Sequence, residues 1–271
     1  MDTDARKWEL TSRKYRIGKY MDPLLAEQFR RVHLDLIRRW APQLEQLRVL
    51  KTDVFAEATW PPRAFSWEIC GYERLVSFDI SAELIARAHL NADSLGYERA
   101  AYAVADARVL PFADNSFDLI VSDSTLDHFP VETDIRRAIA ELARVLQPGG
   151  TLILTLDNSG NLTEPLFRLW IALRRPPYFI GKSYGRRQLE RALQQAGLEV
   201  AATSAIIHNP RFFTKAGLRM LRLLRPPGFE KAARACLTRL DSLEKRRTRH
   251  LTGQFVAARA VKPSSPLHST R

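Results

Sequence analysis

Between residues 104 and 158 the chain sets a condition that few folds can meet. Residues 117–121 (Phe-Asp-Leu-Ile-Val) and 151–156 (Thr-Leu-Ile-Leu-Thr-Leu) are short apolar runs with almost no polar alternation, as expected of strands covered on both faces. Between them Ile135, Ile139, Leu142 and Leu146 recur at helical spacing, and Pro148-Gly149-Gly150 stops the helix. Strand, helix and strand in this order make a crossover, the unit of a parallel α/β sheet. Ligands of open α/β sheets bind beyond the carboxyl ends of the strands. Here those ends are polar: Asp106-Ala107, Ser122-Asp123-Ser124 and Asp157-Asn158.

The flanking segments extend the same pattern. Apolar residues from Leu24 to Leu47 keep helical spacing, broken at Pro42, and predict a helix that covers the sheet, with residues 1–20 as a mobile arm or short helix before it. A first strand is expected at 47–50, then an inserted, aromatic-rich loop at 59–71 that could cap a pocket. Residues 75–81 read as a strand ending in Asp79, followed by an amphipathic helix over 82–90 capped by Ser81. A third strand occupies 101–105, a helix 184–197 with Gly197 as its stop, and a further strand 198–208. Residues 161–184 read as a loop with aromatics, and 211–248 as two basic helical runs parted by Pro226-Pro227-Gly228. Residues 254–261 are the expected last strand. The Pro/Ser-rich tail, 263–271, is expected to be disordered.

The stretch Asp106-Ala107, Leu110-Pro111-Phe112, Asp114, Ser116-Phe117-Asp118, with Leu146-Gln147-Pro148-Gly149-Gly150-Thr151 beyond the helix, resembles the class I S-adenosylmethionine-dependent methyltransferases. The resemblance spans about residues 45–262, with its strong motifs only between Leu75 and Leu156. It implies a Rossmann-like, seven-stranded, mostly parallel α/β sheet with helices on both faces, behind an N-terminal helical cover (1–44) and with an added basic helical segment near the C-terminus. It implies S-adenosylmethionine as cofactor and makes the 161–184 segment a candidate substrate lid. Asp79 then takes both ribose hydroxyls, Ile80 lies against the adenine, Asp106 accepts from the adenine amine, and the adjacent Ala107 amide donates to the ring. Ser122, Asp123 and His128 face the same crevice, Ser122 toward the cofactor and Asp123 and His128 toward the reacting atoms. A histidine there could orient a hydroxyl or act as base, although in-line methyl transfer can proceed by positioning and desolvation alone.

One departure from that family is plain. Its first strand normally leads into an acidic residue and a glycine-rich turn, because glycines let the backbone approach the methionine part of the cofactor. This chain reads Val49-Leu50-Lys51-Thr52-Asp53-Val54-Phe55-Ala56-Glu57, and no glycine stands between Gly18 and Gly71. Asp53 or Glu57 could take the ammonium group of the cofactor, with an exposed loop acid as the plainer reading of Glu57. A non-catalytic module on the same fold, binding a partner or an anionic membrane, is the alternative that the missing glycines favour.

Charge adds a second asymmetry. Residues 1–207 carry 27 Lys+Arg and 27 Asp+Glu, whereas residues 208–271 carry 15 and 3, so the net charge of +12 resides in the last 64 residues. Such a segment suits an anionic membrane surface over 211–250, or a solvated face with snorkelling arginines. A nucleic-acid partner ranks lower, since Ser122-Asp123-Ser124 stands where a base-flipping enzyme would carry an aromatic-proline motif. The charged first twenty residues do not resemble a secretory signal, and no apolar run approaches the roughly 20 residues that span a bilayer. Cys70 and Cys236 make neither a disulfide framework nor a metal site. The reading is a cytoplasmic, at most membrane-peripheral, enzyme methylating a small-molecule or lipid-like acceptor.

Overall fold

The apolar runs become strands because each is buried on both sides. In the computed structural model, which describes residues 3–14, 21–43, 45–69, 72–174, 181–224 and 226–264, the elements are, in chain order, α1 (Thr3–Lys14), α2 (Pro23–Trp40), β1 (Leu47–Thr52), α3 (Phe55–Thr59), β2 (Tyr72–Asp79), α4 (Ala82–Ser94), β3 (Ala100–Val104), β4 (Phe117–Asp123), α5 (Glu132–Val145), β5 (Leu146–Asp157), α6 (Glu164–Arg174), α7 (Arg186–Gln195), β6 (Glu199–Ile206), α8 (Arg211–Leu224), α9 (Phe229–Asp241), α10 (Arg249–Thr252) and β7 (Phe255–Val261). The strands form one seven-stranded sheet in the order β3-β2-β1-β4-β5-β7-β6. β1 pairs in parallel with β2 and β4, β2 with β3 and β4 with β5, while β7 runs antiparallel between β5 and β6.

Successive residues along each central strand serve opposite cores. Leu50, Ile120, Leu152 and Leu154 pack with Ile135, Ile139 and Leu142 of α5 and Leu189 and Leu193 of α7. Their neighbours Val49, Leu119, Val121 and Ile153 face the other way, against Phe29, Val32, Leu36, Ile37 and Trp40 of α2. The strands are apolar throughout because neither face meets water. The expected N-terminal cover is therefore α2. It starts at Asp22, whose carboxylate accepts from the Leu24 amide, with Pro23 at its first position, and stops before Pro42.

Several boundaries differ from the sequence reading. β1 runs on to Thr52, and β5 begins at Leu146, so Pro148-Gly149-Gly150 lies within a long strand and the helix ends at Val145. The segment read as a loop at 161–184 contains α6, whose leucines Leu166, Leu169 and Leu173 are exposed. Leu166, Leu169 and Leu173 do recur at helical spacing, a signal that the loop reading passed over. Of the tail, residues 265–271 lie outside the described residues. Residues 211–248 do form two helices, and these pack on the protein: Leu218, Ala233 and Leu237 meet Leu24 and Leu25 of α2, and Arg222 and Arg234 pair with Asp22 and Glu27.

The strand order reverses beside β1: the chain passes from β1 to β2 and β3 on one side, then crosses to β4 and β5 on the other. The loops after β1 and β4 must diverge there, which opens a crevice at the carboxyl edge.

Candidate functional site

A cavity of about 270 Å³ fills that crevice and continues under α1, α2 and α8. Carboxylates follow one another along its floor in strand order: Asp106 after β3, Asp79 at the end of β2, Asp53 after β1, Asp123 at the end of β4 and Asp157 at the end of β5.

The turn after β1 solves the glycine problem in its own way. Asp53 adopts the left-handed conformation (φ 53°) that glycine would otherwise supply, and Asp is among the few residues with a side chain that tolerate it. Its carboxylate fixes the turn by accepting from the Phe55 amide at 2.9 Å and from Thr125 Oγ1 at 3.0 Å. Beneath it Lys51, 2 % exposed, donates from Nζ to the Asp53 carbonyl (2.7 Å) and the Thr52 carbonyl (3.3 Å) and lies 3.4 Å from Glu57. Glu57 is fully buried and also accepts from Ser66 Oγ at 2.6 Å. Burial alone would push the Lys51 ammonium down, but the carboxylates of Glu57, Asp53 and Asp123 outweigh it and hold its pKa above the ordinary lysine range. Glu57 is thus neither an exposed loop acid nor a cavity ligand. It is the internal counter-ion of Lys51.

Asp79 joins this turn to the next. One carboxylate oxygen accepts from the Val54 amide (3.2 Å) and the other from the Ser81 amide (2.9 Å), while Ser81 caps α4. Burial, and then the neighbouring Asp53 carboxylate, push the Asp79 pKa up to about 7 against the pull of those two amides and Lys51. Ile80, Ala105 and Ala107 line the wall beside it. Asp106 lines the cavity too, but its carboxylate already receives the Arg108 amide and guanidinium. Burial would raise its pKa, and Arg108 more than reverses that.

Asp123 lines the cavity and lies 2.8 Å from His33 Nε2 of α2. It accepts from Thr155 Oγ1 at 3.0 Å. Burial works against its charge, yet His33, Arg63 and Lys51 together hold its pKa below the usual carboxylate range. It is a fixed anion rather than a base for neutral pH. His128 sits on a short 3-10 turn, Leu126–His128, and packs edge-on to Trp8 of α1 at 4.7 Å between centroids. Ser122 does not line the cavity. Strand alternation turns it away from Asp123, and its buried hydroxyl accepts from Thr52 Oγ1 at 3.0 Å under the floor. The structure thus brings Asp53, Asp79, Ile80, Asp106, Ala107, Asp123 and His128 to one cavity, and leaves Ser122 outside it.

Sequence reading missed the opposite end of the cavity. Arg211, at the start of α8, pairs with Asp157 and lies over the Phe167 and Phe255 rings at 4.6 and 5.0 Å. Arg63 stacks 4.0 Å from the Phe29 ring, and Lys215, one turn along α8 from Arg211, completes that wall. Arg211 and Lys215 looked from sequence like any other basic positions on an amphipathic helix.

Residues 63–154 match the family model described as a methyltransferase domain. That stretch is similar to methyltransferase domains and spans about a third of the chain. The chain is 39% identical over 80 residues to an uncharacterised protein of Haemophilus influenzae, covering 29% of this chain and 31% of that one. It is 32% identical over 121 residues to the uncharacterised methyltransferase YcgJ of Bacillus subtilis, 45% of each chain. The first curated relatives it matches are spanned only in part, 31%, 20% and 22% of their lengths. Among solved structures, an S-adenosylmethionine-dependent methyltransferase of Methanosarcina mazei shares the fold with a TM-score of 0.56 at 19% identity, over 85% of this chain and 98% of the other. The domain match begins at residue 63 and so excludes the glycine-free turn.

The Lys51–Glu57 pair gives a direct test of how that turn is held. Lys51→Met or Glu57→Gln alone should cost about 3–5 kcal/mol, because each leaves a buried partner uncompensated. The double variant Lys51→Met/Glu57→Gln should cost clearly less than the two singles added together. Chemical denaturation measures this, and strictly additive losses would show that the two groups do not depend on each other.

Proposed function

We propose that the chain is an S-adenosylmethionine-dependent methyltransferase acting on a small-molecule or lipid-like acceptor. The observation that carries this reading is the Asp79 carboxylate, held by two backbone amides at the carboxyl end of β2 and open to the cavity. The residues present fit the cofactor. Asp79 offers two acceptor oxygens to a ribose diol, and Ile80, Ala105 and Ala107 offer an apolar wall to adenine. Asp53 and Asp79 give this end the negative charge that a cationic sulfonium and ammonium need. The adenine amine would share Asp106 with Arg108. When bound, S-adenosylmethionine supplies a methyl group on an electrophilic sulfonium. The protein's own part is positioning and exclusion of water by the aromatic walls, Trp8 and Phe29 among them. Asp123 and His128 lie where they could orient an acceptor. The low pKa of Asp123 makes it an anchoring anion, not the proton acceptor.

Titration of Asp79 sets the expected pH dependence. Its acid form cannot accept from both ribose hydroxyls, so binding requires the ionised form, and the fraction ionised rises through a pKa of about 7. Affinity for S-adenosylhomocysteine should therefore tighten by about tenfold between pH 6 and pH 8, with uptake of ligand accompanied by proton release. Asp79→Asn should bind more weakly and with a flat pH profile. Isothermal titration of both proteins decides this. A wild-type protein that does not bind at any pH would leave the non-catalytic module as the reading.

A lipid-like acceptor and a peripheral contact with an anionic membrane through residues 211–250 have their own support. Phe213, Met220, Leu223 and Leu224 of α8 are exposed, as are Leu166, Leu169 and Leu173 of α6, and both helices also contribute residues to the cavity wall. Exposed apolar stripes beside basic side chains such as Arg219 suit an interfacial helix. No helix of the described residues is long and apolar enough to cross a membrane. Vesicles containing phosphatidylglycerol should float the protein, phosphatidylcholine alone should not, and Phe213→Ser/Leu224→Ser should abolish flotation. Equal behaviour on both vesicles would refute the contact.

A further inference from the structure

The two ends of the cavity differ in charge. Toward β3, β2 and β1 the lining carboxylates are Asp106, Asp79 and Asp53, with Lys51 paired to Glu57 beneath them. The opposite wall carries the cations Arg63, Arg211 and Lys215, with Asp123 near Arg63 and Asp157 on Arg211. Arg211 is neutralised by Asp157 and further held by Gln254 Oε1 at 2.9 Å. Lys215 has no carboxylate partner among the described residues, and the groups that act on it are the guanidiniums of Arg211 and Arg63, both positive. Partial enclosure and these two neighbours push its pKa down. A cation beside two others, at the solvent-accessible mouth of a cavity, costs free energy that an incoming anion would recover. The aromatic rings of Phe29, Phe167 and Phe255 hold the two guanidiniums in place beforehand, so little side-chain freedom is lost on binding.

We propose that the basin between Arg63, Arg211 and Lys215 binds an oxyanion of the acceptor, a carboxylate or a phosphate, and thereby fixes which end of the acceptor faces the methyl donor. The assignment of the oxyanion to a methyl acceptor rests on the methyltransferase reading; the anion site itself rests on the cations alone. The acidic end would repel such a group and accept the cationic cofactor, so one cavity sorts its two ligands by charge.

The test is calorimetric titration of the protein, first with S-adenosylhomocysteine and then, in its presence, with sodium phosphate and sodium acetate at ionic strength held constant with sodium chloride. Saturable binding of at least one of the two anions is expected, and which one binds tells phosphate from carboxylate. Lys215→Ala should weaken that binding by about tenfold and Lys215→Arg should restore it, with S-adenosylhomocysteine affinity unchanged in both. Arg63→Ala should weaken it as well. Binding of neither anion above the chloride control, or binding untouched by Lys215→Ala, overturns the proposal. Anion binding that depends on Lys215 in a protein that never takes up S-adenosylhomocysteine would keep the anion site and discard the methyltransferase reading.

Discussion

The buried ammonium of Lys51 is the contact on which the cavity is built. It gathers the carbonyls of Thr52 and Asp53 and the carboxylate of Glu57 around one charge, at the point where β1 ends and the sheet reverses direction. A buried pair of this kind seldom adds net stability, because desolvation consumes most of the attraction, but losing one member is costly. Its effect here is on shape. With Lys51 held, Asp53 stays in a left-handed turn, the Val54 amide reaches Asp79 and Thr125 reaches Asp53. Three loops, after β1, β2 and β4, are thereby tied into one floor.

A second consequence is electrostatic. Lys51 would spoil a site for a cationic ligand if its charge reached the cavity unbalanced. Glu57 and Asp53 cancel it from two sides, and Asp79 adds its ionised fraction to that end, where Asp106 is already paired with Arg108. The opposite end takes its positive charge from α8, an element added outside the central sheet, and from the segment following α3. On the proposed reading, the central sheet's loops would face the donor, and α8 with the segment after α3 the acceptor.

Much of this was legible in the chain and some could not have been. The crossover from β4 through α5 to β5 shows in sequence because burial on both faces forbids polar residues, and Asp79 and Asp106 show as cavity-lining positions because crevices of such sheets open at the carboxyl ends of the strands. Ser122 illustrates the limit. Adjacent to Asp123 in sequence, it points the other way because side chains alternate across a strand, and it bonds to Thr52 beneath the floor. Glu57 looked like a surface acid because nothing local reveals that Ser66 and Lys51 close over it. A lysine within the apolar run Val49-Leu50-Lys51 was the available signal that a buried counter-ion existed. Nothing in the sequence around His33 hints that it meets Asp123. Contacts between elements far apart in sequence, such as Arg211 with Asp157, leave no pattern in either segment.

Whether a turn without glycine, braced by Lys51 and Glu57, forms the donor end of the cavity is the central question. The most direct measurement is a crystal structure of the protein with S-adenosylhomocysteine. The account requires the ribose hydroxyls on the Asp79 carboxylate, adenine beside Ile80, and the methionine part over Asp53 with Lys51 still bound to Glu57. Ligand lying elsewhere, or a turn that must release Lys51 from Glu57 to admit it, would contradict the account.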